Sequence, residues 1–169
     1  MIKKTLFVLA LGLIIIHYSC TNNSKIKISS YSDGPYLIER LDSSLIIYQN
    51  HDYSFDSLMV ANANLDRLEV TCDFDSIDCP AFTFRLKKEK IETNDSISLP
   101  DKLIAISDIE GNFEKYYQLL YANKVIDTHY NWIFGNGHLD IVGDLVDRGD
   151  YVTQCLWLTY HLEQEADKV

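Results

Sequence analysis

Two apolar runs each stop on an aspartate and then enter a glycine-marked turn: IAISDIEGNF at 104–113 and LDIVGDLVDRGD at 139–150. A short apolar run bounded by turn residues is the pattern of a strand whose side chains are buried. In an open α/β sheet, ligands bind beyond the carboxyl ends of the strands. Asp108 and Asp144 would then stand at two such ends. If the strands are neighbours, the two carboxylates meet in one crevice, where like charges repel unless a cation lies between them.

The flanking residues extend this pattern. KLIAIS reads as a strand covered on both faces. NFEKYYQLLYANK has helical spacing, with Phe113, Tyr117 and Leu120 on one side and Asn112 as a cap. NWIF and LDIV flank GNGH, which predicts a hairpin turn. DYVTQCLWLTYHLEQEADK predicts a second helix with Tyr151, Cys155, Leu158 and Leu162 on one stripe and Asp150 as its cap. The expected class for 101–169 is α/β, strand, helix, hairpin, helix, with the whole chain α+β.

Residues 31–100 read as a small β-rich region. YLIERLDSSLIIYQN gives two strands around a Leu-Asp-Ser-Ser turn, and LEVTCDF and FTFRLKK both alternate. DFDSID at 73–78 lacks the glycine and glutamate positions of a calcium loop and reads as a solvated acidic turn.

The net charge is −10. That excludes a general nucleic-acid binder, since no broad basic face replaces phosphate counterions. At the N-terminus, MIKK precedes the apolar run LFVLALGLIII at 6–16. This run is too short to span a bilayer of ~30 Å as a helix and has the length of a secretion signal's central part. HYSC follows, so residues 1–19 resemble a lipoprotein signal with Cys20 as the lipidated residue. An ordinary secretory signal or an uncleaved anchor remain the alternatives. Residues 20–30 read as a flexible tether. The expected location is the bacterial cell envelope, on the periplasmic side, with the membrane reached through the lipid. In an oxidising compartment Cys72 and Cys79 could form a bridge. The alternative is that they are small core residues, which the apolar side of the LEVTCDF alternation favours for Cys72.

Chemistry concentrates around the two aspartates. Glu110, two residues past Asp108, offers a third oxygen, and Gly111, Gly143 and Gly149 allow sharp turns and close approach. Arg148 suits a phosphate, gripping two oxygens at once. The second helix aims its N-terminus at the same crevice, which favours an anion. Together these residues predict metal-assisted phosphoester chemistry.

GDLVDRG at 143–149 and SDIEGN at 107–112 resemble the first two blocks of the calcineurin-like metallophosphoesterases, among them serine/threonine protein phosphatases. The resemblance implies a two-metal site in which Asp108 holds the first ion and Asp144 bridges both. Asp147 would orient the site and Arg148 would bind the substrate phosphate. Glu110 stands where the family has a histidine ligand, which favours manganese or magnesium, with iron or zinc left open. The third block and the later histidines do not occur. GNGH at 135–138 precedes the second block and is read as a turn, so His138 is not assigned to metal. Residues 101–169 are thus expected to be the N-terminal part of such a domain. The implied substrate is a phosphorylated small molecule or a phosphoprotein. The competing expectation is a catalytically inactive lipoprotein that acts as a binding module.

Overall fold

The computed structural model describes residues 25–87 and 99–166. The signal, Cys20 and the first part of the tether lie outside the described residues. The elements in chain order are β1 (Ile26–Tyr31), β2 (Tyr36–Glu39), β3 (Ser43–Gln49), β4 (Phe55–Ala61), β5 (Leu68–Asp73), β6 (Phe82–Arg85), β7 (Leu103–Ile106), α1 (Phe113–Ala122), β8 (His138–Ile141) and α2 (Val152–Ala166). The fold is mixed α+β. Its strands form sheets in the orders β1-β5-β6, β2-β3-β4 and β7-β8.

The expected strands of the β-rich region form where alternation put them. β2 and β3 pair antiparallel around the Leu-Asp-Ser-Ser turn. β5 buries Leu68, Val70 and Cys72, and β6 buries Phe82 and Phe84, on one face of their sheet. One strand lies where a tether was expected. Residues 26–30 belong to β1, which pairs in parallel with β5 from Ile26↔Leu68 to Tyr31↔Asp73. It stays in place because Ile28 and Ser30 are buried against the neighbouring sheet.

The second half departs in two ways from the expected pattern. β8 does not form a hairpin with NWIF. It pairs in parallel with β7, from Leu103↔His138 to Ile106↔Ile141, and α1 lies on the crossover that parallel strands require. Trp132 instead makes an isolated antiparallel bridge with Ile126. Nor is β7 covered on both faces. Leu103 is 54% exposed, and Ala105 on the same face is exposed too, whereas Ile106 on the other face is buried.

α1 is capped as expected, with the Asn112 side chain accepting from the Lys115 amide at 3.3 Å. It buries Phe113, Tyr116 and Leu120. Tyr116 therefore takes the place expected for Tyr117. Tyr151, just before α2, and Cys155, Leu158 and Leu162 within it form the anticipated buried stripe. Both helices pack on the β5–β6 face through rings. Phe74 lies 4.5 Å from Phe113, Phe82 lies 5.8 Å from Phe113, and Phe84 lies 4.9 Å from Trp157. Residues on both sides of position 100 thus share one aromatic core. Cys72, Cys79 and Cys155 are unbonded. Cys72 is a fully buried small core residue whose thiol pKa burial raises. Among the described residues, no helix is long and apolar enough to cross a membrane.

Candidate functional site

The parallel pairing of β7 and β8 brings their carboxyl ends together, and with them Asp108 and Asp144. The Asp108 carboxylate reaches the Asp144 backbone, accepting from its amide at 3.4 Å. The approach is so close that a Cβ on Gly143 would lie 2.5 Å from Asp108 Oδ1.

The two loops beyond these strands are laced together by backbone hydrogen bonds. Glu110 N–H donates to the Asp144 carbonyl at 3.0 Å and Gly111 N–H to the Leu145 carbonyl at 3.1 Å. In return, Gly149 N–H donates to the Glu110 carbonyl at 2.7 Å and Tyr151 N–H to the Gly111 carbonyl at 3.2 Å. At the centre Gly111 and Gly149 touch back to back. A Cβ on Gly149 would lie 2.5 Å from the Gly111 carbonyl, and Gly111 itself has φ +75°. Larger residues cannot occupy either position without moving backbone.

Four non-glycine residues of these loops hold left-handed conformations: Asp108 at φ 48°, Glu110 at 47°, Asp147 at 91° and Arg148 at 55°. Each such residue costs on the order of 1–3 kcal/mol and persists where the surrounding structure over-determines it, as at ligand sites. The bend re-aims the side chains. Arg148 projects outward, its side chain 74% exposed, and pairs with Glu110 at 3.2 Å. Asp147 approaches the same guanidinium at 3.9 Å and accepts from the Arg148 amide at 2.9 Å. An exposed pair of this kind contributes about 0–1 kcal/mol. An incoming anion can therefore take over the remaining guanidinium N–H groups at little cost.

A cleft of about 500 Å³ opens over these loops, lined by Asp108, Glu110, Gly111, Arg148 and Gly149 among others. Asp144 and Asp147 lie outside its lining. A larger cleft of about 850 Å³ between β8 and the end of α2 contains none of the candidate residues. His138 starts β8 on the wall of that second cleft, away from the aspartates.

The fit to a metal is partial. Asp108 and Asp144 are hard oxygen donors at adjoining strand ends, as a divalent cation prefers. The Glu110 carboxylate pairs with Arg148 at 3.2 Å. Among the described residues, no group of at least three His, Cys, Asp or Glu side chains is arranged to hold an ion.

Sequence reasoning missed the residues that hold this site from behind. Ile77, from the acidic 73–78 turn, forms part of the cleft wall. Its neighbours Asp75 and Ser76 hydrogen-bond the Tyr151 hydroxyl. No local signal marks these contacts, which join residues 75 or 76 positions apart.

The comparisons with known proteins point to phosphatases. The chain is 32% identical over 69 residues to Shewanella-like protein phosphatase 2 of Arabidopsis thaliana, a match covering 41% of this chain and 18% of that protein. It is 34% identical over 88 residues to Shewanella-like protein phosphatase 1 of Plasmodium berghei (strain Anka), covering 49% of this chain and 24% of that protein. The chain thus spans about a fifth to a quarter of these curated relatives. Among solved structures it is similar to the cold-active protein-tyrosine phosphatase of a psychrophilic Shewanella species. The TM-score is 0.62 at 28% identity, over 80% of this chain and 39% of that one. No family model matches the chain. These relatives correct the expected membership of the calcineurin-like metallophosphoesterases: the likeness is to Shewanella-like protein phosphatases, a different family. They lend no support to the lipoprotein-type signal read alongside it.

Proposed function

We propose that this chain carries the phosphate-binding strand ends of a protein phosphatase that hydrolyses phosphomonoesters, with a phosphoprotein as substrate. The interlocked 108–111 and 144–151 loops support this reading most directly, because they set the Asp108 and Glu110 carboxylates and an exposed arginine around one cleft, with Asp144 at the adjoining strand end. The names of the sequence relatives and the fold of the similar solved structure agree with it.

In this proposal Arg148 grips two phosphate oxygens, exchanging its weak pairing with Glu110 for a charge-assisted fork. The N-terminus of α2 faces the same anion and adds partial positive charge. Asp147 keeps the Arg148 backbone bent through its hydrogen bond to the amide. Asp108 and Asp144 would hold a divalent cation, manganese or magnesium, whose charge stabilises that developing on the phosphoryl group. Glu110 acts as the resting partner of Arg148 in place of a metal ligand.

The test is p-nitrophenyl phosphate hydrolysis and manganese-induced stabilisation of the full chain. Manganese is expected to raise the melting temperature of wild type and leave that of Asp144→Asn unchanged. Arg148→Ala should keep the manganese response and weaken inorganic phosphate binding by roughly tenfold. Wild type that responds to neither manganese nor phosphate would defeat the proposal in favour of an inactive binding module.

A further inference from the structure

We infer that the acidic turn at 73–78 is a positioning device for the phosphate loop, with Asp75 and Ser76 acting through the Tyr151 hydroxyl. The sequence gives this turn the look of a solvated acidic loop. In the fold it reaches across to the first residue after Asp150.

Tyr151 is 5% exposed, and its ring packs edge-on against Phe74 at 5.5 Å. That fixes the ring but leaves a phenol at its tip to be satisfied. The turn supplies the partners. The phenol donates to Asp75 Oδ1 in a short hydrogen bond. Ser76 Oγ lies 2.8 Å from the phenol oxygen, and the Ser76 amide donates to it at 3.2 Å. Ser76 also donates to Asp75 Oδ1 at 3.0 Å, so the three groups close on one another. The Tyr151 hydroxyl holds the Asp75 carboxyl below the usual carboxylate range, and burial pushes the phenol up.

Tyr151 is also tied to the site through its backbone, where its amide meets the Gly111 carbonyl at 3.2 Å. Two residues earlier Gly149 meets Glu110 at 2.7 Å. The phenol thus anchors the C-terminal end of a loop whose Asp147 and Arg148 both hold left-handed backbone. A strained loop keeps its shape while both ends are fixed. β8 fixes one end, and the 73–78 turn fixes the other. The β-rich half of the chain thereby sets the aim of Arg148, although Asp75 and Ser76 touch no reacting group.

The inference rests on the phosphatase reading for what the loop binds, but not for how it is held. The experiment therefore has two readouts on the full chain: amide hydrogen exchange at Gly149 and Tyr151, and inorganic phosphate binding in the presence of manganese. Tyr151→Phe keeps the ring and removes the phenol. It should speed exchange at both amides by roughly tenfold and weaken phosphate binding by a similar factor, with manganese binding unchanged. Asp75→Ala should behave alike. Asp75→Asn keeps an acceptor and should return close to wild type. Trp157→Phe is the control. It removes a hydrogen bond from α2 to the Pro35 carbonyl and should lower stability without changing exchange at Gly149. The inference is overturned if Tyr151→Phe leaves exchange at Gly149 and Tyr151 as in wild type, or if Trp157→Phe speeds it equally. If exchange responds as expected but wild type binds no phosphate, the anchor stands and the phosphatase reading fails.

Discussion

Asp147 shows how much of the candidate site depends on backbone shape. Its φ of 91° lies beyond the ordinary left-handed region, where a side chain with Cβ costs on the order of 1–3 kcal/mol. Aspartate reduces that cost by bonding locally, here to the Arg148 amide at 2.9 Å. Glycine would remove the strain but lose chain entropy of about 0.5–1 kcal/mol on folding. The two effects nearly cancel, so Asp147→Gly should leave the urea midpoint unchanged or slightly raised. Asp147→Val should destabilise by about 2 kcal/mol or more, since a β-branched residue is an outlier at positive φ. Equal destabilisation by both variants would show that the loop is not strained there. The residue types of the site were legible in the sequence: Asp108, Asp144 and Arg148 occupy adjoining loops, and the glycines mark close approaches. The pairing of Glu110 with Arg148 was not legible, because sequence spacing does not show which way a left-handed residue aims its side chain. A φ of 47° turns Glu110 to Arg148.

The sheet β1-β5-β6 shows the same limits for whole elements. β5 and β6 were legible because leucine, valine, cysteine and phenylalanine alternate with polar residues. β1 was not, because one of its buried positions is a serine. Ser30 is fully buried and its hydroxyl accepts from the Gln49 amide at 3.0 Å, so the apolar inward run is cut short after Ile26 and Ile28. α2 hides a similar contribution. Gln154 is fully buried and donates to the Ser32 carbonyl at 2.9 Å, fastening the helix to the β2 side. Charge also crosses the β1-β5-β6 sheet at Glu69, which pairs with Lys25 at 2.9 Å, Lys27 at 3.3 Å and Arg85 at 3.4 Å. Hydrogen bonds from Lys25 and then Lys27 bring its carboxyl from 4.5 down to about 2. A carboxyl whose folded pKa is depressed stabilises the fold above its unfolded pKa and loses that contribution as pH falls through the folded one. Thermal stability should therefore decline between pH 4.5 and about 2. Glu69→Gln should flatten part of that decline while leaving the remaining slope to other depressed carboxyls such as Asp75 and Asp127. An unaltered pH profile in the variant would show that these pairs carry no net stability.

At the scale of the molecule, the change from alternating strands to helices near residue 100 marked a change of element type, and the core runs straight across it. Phe82 of β6 is 3% exposed. It lies within 5.9 Å of Phe84, 5.8 Å of Phe113 and 5.2 Å of Tyr130, so one side chain packs against both halves. Composition could not reveal this, because period-two and helical patterns each say which face is buried and neither says against what. The shared core is also what allows the 73–78 turn to brace the loop before α2. If the halves were separate domains, a cavity at Phe82 would loosen the β-rich half and leave the helices with their own transition. With one core, Phe82→Ala should cost about 3–5 kcal/mol and lower a single cooperative transition. Far-UV circular dichroism reports all elements, while tryptophan fluorescence reports Trp132 and Trp157, both beyond residue 100. Their denaturation midpoints should coincide in wild type and fall together in Phe82→Ala. A fluorescence midpoint that stays in place while the dichroism midpoint falls would mean that the halves fold independently, and would remove the structural basis for the turn's hold on the site.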